Sequence, residues 1–184
     1  MRELAILTFV TLDGVMQSVR LPDEDMSGGF AHGGWAAPYW DDVMTQLGRT
    51  AMAEPYDMLL GRKTFEMFAA NQDDSPNDGH VYTVSSTLSE SIWENATILN
   101  GNPVEEVARL KEMDGPLLQI HGSWQLIQPL IDAGLIDEFR LFIFPLILGS
   151  GKRLFEGVEG ADRLKLVRSE PTRNGVVMHI YRKE

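Results

Sequence analysis

Short apolar runs alternate with segments of helical spacing along this chain, and several runs break on a Gly, Ser or Thr turn. Residues 4–12, rich in Leu, Ile, Phe and Val, read as a buried strand suited to parallel pairing. Residues 58–60, 80–85, 96–99 and 117–120 give further short strands. Helices fall between them, over about 38–53, 63–70 and 104–113, and in a segment carrying Leu126, Ile127, Leu130 and Ile131 that stops at Ala133-Gly134. Pro38 takes a first-turn position in the first helix, with Asp41 and Asp42 in its opening turn. Residues 138–148 are mostly apolar with Pro145 inside, which favours an edge strand or a bulge. Residues 164–169 and 176–182 form a terminal hairpin. This order predicts an α/β layer fold, with a largely parallel sheet and antiparallel strands added at one edge.

A chain of 184 residues, 43% hydrophobic and 23% charged, fits one globular domain over 1–184. Sixteen basic against 27 acidic side chains give a formal net charge of −11. That argues against a nucleic-acid or anionic-membrane surface, but not against a small anion held by local contacts. No apolar run approaches the roughly 20 residues of a bilayer span. Met1-Arg2-Glu3-Leu4 lacks a signal-peptide pattern, so a cytoplasmic location is expected. There is no cysteine, and His32, His80, His121 and His179 lack metal-ligand spacing, so no metal is expected.

Three turns concentrate chemistry at the carboxyl ends of strands, where open α/β sheets bind ligands. Gly61-Arg62-Lys63-Thr64 reads as a tight turn opening a helix. A helix start offers unpaired N–H groups and partial positive charge, so two cations and a hydroxyl there suit a phosphate. The alternative is a solvated basic first turn. Ser85-Ser86-Thr87 supplies hydroxyls for a phosphate or ribose, and glycine in Gly122-Ser123 permits close approach of a diphosphate. Such residues also cap helices with no ligand present. Three such turns on one sheet predict an extended ligand with several anionic groups, such as a dinucleotide.

Other segments leave two readings open. Residues 15–37 hold Gly28-Gly29, Gly33-Gly34 and Pro22, and read as a functional loop or lid, or as a surface loop. Residues 71–79 read as an acidic, turn-rich loop. Gly149-Ser150-Gly151-Lys152 fails as a P-loop, since Leu146 and Arg153 occupy required Gly and Ser/Thr places. It reads as a glycine bend, or as a device turning Lys152 and Arg153 toward a substrate phosphate. Trp35, Tyr39 and Trp40 are either core or the wall of a pocket for a planar ring. Asp13 caps a turn or faces substrate, and His121 reads as structural.

Taken in order, several motifs resemble the dihydrofolate-reductase-like superfamily. They are Thr11-Leu12-Asp13-Gly14, Leu60-Gly61-Arg62-Lys63-Thr64-Phe65, Val84-Ser85-Ser86-Thr87, Ile120-His121-Gly122-Ser123, Gly134-Leu135-Ile136-Asp137-Glu138 and the 145–155 stretch around Leu148-Gly149-Ser150-Gly151. The closer likeness is to the riboflavin-biosynthesis reductase C-terminal domain and its stand-alone bacterial relatives, over essentially the whole chain. It implies a three-layer α/β/α fold and an NADPH-dependent reductase of a small heterocyclic or ribosyl-linked substrate, similar to 5-amino-6-(5-phosphoribosylamino)uracil reductase.

By that likeness Gly61, Arg62, Lys63 and Thr64 hold cofactor phosphates, Ser85 and Ser86 lie near the adenosine 2′-phosphate, and Gly122 and Ser123 approach the diphosphate and nicotinamide. Arg62 and Lys63 give a reason to prefer NADPH over NADH. Ser123 stands where dihydrofolate reductases carry the second glycine of a pair. Their catalytic carboxylate lies in the first helix, the region of Asp41 and Asp42. Asp13 and Asp42 are the candidates for substrate orientation or proton transfer, and Trp35 and Trp40 for pocket walls. The expected cleft is walled by residues 12–14, 35–42 and 122–123. A homodimer through the C-terminal strands is also implied. The alternatives are a non-catalytic nucleotide-binding protein, or a flavin in place of the nicotinamide.

Overall fold

The computed structural model describes residues 1–70, 78–91, 93–158 and 160–184, so most of the expected acidic loop, residues 71–77, lies outside the described residues. Eight strands are described: β1 (Leu4–Thr11), β2 (Tyr56–Gly61), β3 (Val81–Val84), β4 (Ala96–Leu99), β5 (Leu117–His121), β6 (Glu138–Phe144), β7 (Leu164–Pro171) and β8 (Val177–Lys183). They form one sheet in the order β4-β3-β2-β5-β1-β6-β8-β7. The pairs β1/β5, β5/β2, β2/β3 and β3/β4 are parallel, and β7/β8 is antiparallel. Helices α1 (Asp42–Ala51), α2 (Arg62–Ala70), α3 (Pro103–Glu112) and α4 (Trp124–Asp132) complete the α/β fold that strand–helix alternation predicts.

The chain forms two compact units, each from two segments. The first holds residues 1–7 and 54–138. Leu4, Ala5 and Ile6 of β1, Met58, Leu59 and Leu60 of β2, and Leu118 and Ile120 of β5 are fully buried. Central parallel strands are covered on both faces, which is why these runs are continuously apolar instead of alternating. α3 opens on Asn102, whose side chain accepts from the Val104 and Glu105 N–H groups, and buries Val107 and Leu110. α4 buries Leu126, Ile127, Leu130 and Ile131, two pairs one turn apart.

Charges close the amino-terminal ends of the strands in this unit. Arg2 pairs with Asp57 and donates to the Pro116 carbonyl, while Asp57 also accepts the His80 N–H at 3.0 Å. Buried Lys111 donates to the Asp137 carboxylate, which also accepts the Leu4 N–H. Each buried cation has its carboxylate, as low-dielectric burial requires. The carboxyl ends of the same strands carry the turns.

The second unit holds residues 8–53 and 139–184. α1 begins later than sequence spacing predicts. Pro38 sits in a separate 3-10 turn, Ala37–Tyr39, and Trp40 is extended. Asp41 is the N-cap of α1, its carboxylate accepting the Met44 N–H at 2.7 Å. An aspartate is a better cap than an interior residue, and this preference delays the start of the helix to Asp42. Buried Arg140 of β6 donates to the Ala51 carbonyl at the other end of α1. β6 is also corrected: it lies inside the sheet between β1 and β8, and Pro145 falls just past its last residue, Phe144. A proline outside the ladder costs no sheet hydrogen bond.

The 15–37 segment is firmly attached within this unit. Residues 15–19 are buried, and Val15 forms an isolated bridge with Arg153. The Gln17 side chain donates to the Asp25 and Ser27 carbonyls, each at 2.9 Å, and accepts the Lys152 N–H at 3.1 Å. Lys152 pairs with Asp25, and Arg153 donates to the Asp13 and Gly149 carbonyls. The two cations of the 149–153 bend therefore hold the loop and the bend together.

Candidate functional site

β3, β2 and β5 are neighbours, all parallel, with Gly61 opposite Val84 and Leu59 opposite Ile120. The chain thus leaves all three strands at one edge of the first unit, and the Gly61, Ser85 and Gly122 turns share that rim. Two of them touch. The Gly61 N–H donates to Ser123 Oγ at 2.8 Å, and the Ser123 hydroxyl donates to Thr64 Oγ1 at 2.8 Å. A Cβ at Gly61 would lie 3.3 Å from the Ser123 Cβ, so glycine keeps this approach unstrained. Gly122 and Ser123 both have left-handed backbones, with φ of 60° and 66°. Glycine takes that conformation freely, whereas serine there costs about 1 kcal/mol. Ser123 is the N-cap of α4: its carbonyl accepts the Leu126 and Ile127 N–H groups, but its side chain makes no capping hydrogen bond.

The first N–H groups of α2 and α4 have no carbonyl partner inside their own helices, and both helix starts lie on this rim. Arg62 and Lys63 are exposed. Arg62 pairs with Glu66 one turn along α2 at 3.0 Å, the side chains 44% and 43% exposed. Such a pair holds weakly and can yield to a phosphate. Ser85 is buried, and its Oγ accepts the Thr87 and Leu88 N–H groups at 3.2 and 3.1 Å, closing the turn. Asn100 donates to the Ser85 and Leu88 carbonyls and fastens the same turn. Ser86 is the exposed hydroxyl of the pair. The donors on this rim, neutral and cationic, match the chemistry of a diphosphate.

His121 ends β5, buried, with Nε2 2.9 Å from the Gln119 side-chain nitrogen and its ring near Tyr56 and Phe68.

The expected carboxylates and tryptophans belong to the second unit. Asp13 accepts from the Thr11 hydroxyl at 2.6 Å, the Leu148 N–H at 3.2 Å and the Gly149 N–H at 2.9 Å. Burial pushes its carboxyl up, but these hydrogen bonds outweigh it and bring the pKa from 3.8 down to about 2. Asp42 is exposed in the first turn of α1. Asp41 differs from both: its Oδ2 is buried with no hydrogen-bond partner among the described residues. Trp35 is packed into the core at 6% exposed, edge-on to Phe144 at 5.0 Å, with Nε1 donating to the Gln17 carbonyl. Of its two open readings, core is the one observed, and a buried, satisfied indole offers no face to a ligand. Trp40 is 48% exposed, its ring 5.8 Å from Phe9 and its Nε1 donating to Thr45.

Residues 2–178 match the RibD C-terminal domain family. The chain belongs to this family. The uncharacterized protein YyaP of Bacillus subtilis (strain 168) is 32% identical over 166 residues, covering 83% of this chain and 88% of YyaP. Among solved structures, a provisionally named riboflavin biosynthesis protein of Shewanella sp. PV-4 superposes with a TM-score of 0.76 at 21% identity, covering 100% of this chain and 99% of the other. Dihydrofolate reductase from Enterococcus faecalis, complexed with NADP(H), superposes with a TM-score of 0.63 at 17% identity, over 99% and 96%. The fold of this RibD-type domain is dihydrofolate-reductase-like.

One feature of the RibD-type domain escapes sequence reasoning, and a second was within its reach. The Gly61–Ser123–Thr64 contact joins residues 62 and 59 positions apart, and only the pairing of β2 with β5 brings them together. Asp41 as an outlying cap was accessible from capping preference, because a helix start at Asp42 leaves the preceding Asp41 as a strong N-cap.

Proposed function

We propose that this RibD-type domain is an NADPH-dependent reductase of a small heterocyclic or ribosyl-linked substrate, similar to 5-amino-6-(5-phosphoribosylamino)uracil reductase. The observation that carries the reading is the contact of Ser123 with Gly61 and Thr64, which sets two helix starts side by side next to Arg62 and Lys63. Family membership and the NADP(H) complex of a dihydrofolate reductase of like fold support a nicotinamide coenzyme.

In this reading Gly61 and Gly122 let the backbone approach the diphosphate, Ser123 stands beside it, and Thr64 and the helix starts supply donors. Arg62 and Lys63, with Ser86 on the turn that Ser85 builds, favour the extra 2′-phosphate. The bound coenzyme supplies the hydride. The chain binds and orients the reactants and manages one proton. Asp13, already ionised, orients the 11–14 turn instead of giving up a proton. Asp41 has an oxygen whose acceptor capacity is unmet, so it is the carboxylate suited to a donor on the substrate ring. Asp42 serves the dipole of α1, and Trp40 offers a partly open aromatic face.

A homodimer is part of the proposal. β7 is the last strand of the sheet, with Leu166 49% and Val167 55% exposed along it. An open strand edge carrying apolar side chains favours pairing with another copy.

The test is a titration of tryptophan fluorescence with NADPH and NADH, followed by coenzyme oxidation against pteridines, ribosylaminopyrimidines and quinones. Preferential NADPH binding with turnover of one class is expected. Equal affinity for the two coenzymes, or a flavin retained on purification, would sink the assignment.

A further inference from the structure

The hydrogen bonds at the rim run in one direction. A backbone N–H can only donate, so Ser123 Oγ must accept from Gly61, at 2.8 Å. The serine then has one hydrogen left, and it goes to Thr64 Oγ1, also at 2.8 Å. Thr64 therefore keeps its own hydroxyl hydrogen, and no acceptor takes it among the described residues. Gly122 leaves that hydroxyl uncovered, since a Cβ there would sit 3.8 Å from Thr64 Oγ1. Each donation in such a chain polarises the next group, so the terminal hydroxyl is a stronger donor than an isolated threonine.

Ser123 holds a left-handed backbone that glycine would adopt without strain, and its side chain makes no capping hydrogen bond to α4. Its hydroxyl is what it adds at this position. We infer that Ser123 is a positioning residue, which turns the Thr64 hydroxyl to donate to an ionised phosphate oxygen of the ligand. This rests on the coenzyme reading above and deepens it, by giving Ser123 its effect through Thr64 rather than through direct contact. An anionic phosphate oxygen accepts and cannot donate, so it matches the hydrogen that Thr64 still has to give.

The experiment is a double-mutant cycle on NADPH affinity, read by fluorescence titration, with thermal melts of every variant. Ser123→Gly removes the hydroxyl and relieves the strained backbone. The lost bond to Gly61 and the relief of strain are of similar size, so its melting temperature is expected to stay close to wild type. Its NADPH affinity is expected to fall roughly tenfold, the scale of one hydrogen bond to a charged group. Thr64→Val is expected to lose a similar amount, and Thr64→Ser to retain wild-type affinity. In the Thr64→Val background, Ser123→Gly is expected to cost less than about twofold more, because a shared path is lost only once.

Wild-type affinity in Ser123→Gly overturns the inference, as does full additivity of the two losses. A loss of affinity that tracks a lowered melting temperature also overturns it, since that marks a structural role alone. Absence of NADPH binding by the wild type overturns the coenzyme reading itself, and is distinguishable because it appears before any variant is made.

Discussion

The Asp13 carboxylate accepts the Gly149 N–H at 2.9 Å across 136 residues of sequence. With Thr11, Leu148 and Arg153 also on this residue, it ties the end of β1 to the 148–153 bend. The folded pKa of about 2 lies below the ordinary 3.8, so the ionised form is bound more tightly in the folded state. The associated stability is complete above the unfolded pKa and is lost as pH falls through about 4 toward 2. Urea unfolding across that window is expected to show a falling midpoint. Asp13→Asn is expected to lose about 1–2 kcal/mol at neutral pH and to flatten the acid limb. An acid limb as steep as wild type in this variant would count against the assignment.

Asp41 and Asp42 separate cleanly. Asparagine caps a helix about as well as aspartate, so Asp41→Asn is expected to leave stability within roughly 0.5 kcal/mol. It keeps the capping oxygen but takes away a carboxylate acceptor at the buried Oδ2 position, and turnover is expected to fall by about a hundredfold with the coenzyme affinity kept. Asp42→Asn, on an exposed first-turn residue, is expected to change turnover by less than about twofold. Steady-state kinetics with parallel melts decide it, and the reverse ranking of the two variants would refute the role given to Asp41.

Arg62 is shared between Glu66 and the proposed phosphate. Arg62→Ala is expected to weaken NADPH by roughly tenfold and NADH much less. Glu66→Gln releases the arginine from an exposed pair, and NADPH affinity is expected to rise about two- to threefold. Paired titrations with the two coenzymes test this; equal losses for both in Arg62→Ala would show that the arginine does not read the 2′-phosphate.

The edge strand β7 gives the oligomer prediction. A register shift between Leu166 and Arg168 marks a bulge beside the exposed Leu166 and Val167. Val167→Glu places charge on that apolar edge and is expected to shift the protein toward monomer in sedimentation velocity, with its helical circular dichroism retained. An unchanged sedimentation coefficient would place any dimer contact elsewhere.

The central strands were readable because parallel strands covered on both faces must be apolar throughout, and the runs at 58–60 and 117–120 lie within β2 and β5, while the 96–99 run matches the edge strand β4. The turns at Gly61, Ser85 and Gly122 were readable for a related reason: glycine and hydroxyl residues break a strand locally, whatever the rest of the chain does. The start of α1 was misplaced because Pro38 suits both a 3-10 turn and a first helical turn, and capping by Asp41 decided between them. β6 was misplaced because a proline at 145 looks the same in sequence whether it is inside a strand or one residue past it.

Local pattern and residue type thus determined the α/β class, the family and the segments able to meet an anion. The tertiary structure alone decided which of those groups still have something to give. It spends Ser85 on its own turn, Lys152 on Asp25 and Trp35 on the core, and among the described residues it leaves a hydroxyl hydrogen on Thr64 and an oxygen on Asp41 without partners. The reason is that hydrogen-bond satisfaction depends on neighbours distant in sequence, and periodicity along a chain carries no record of them.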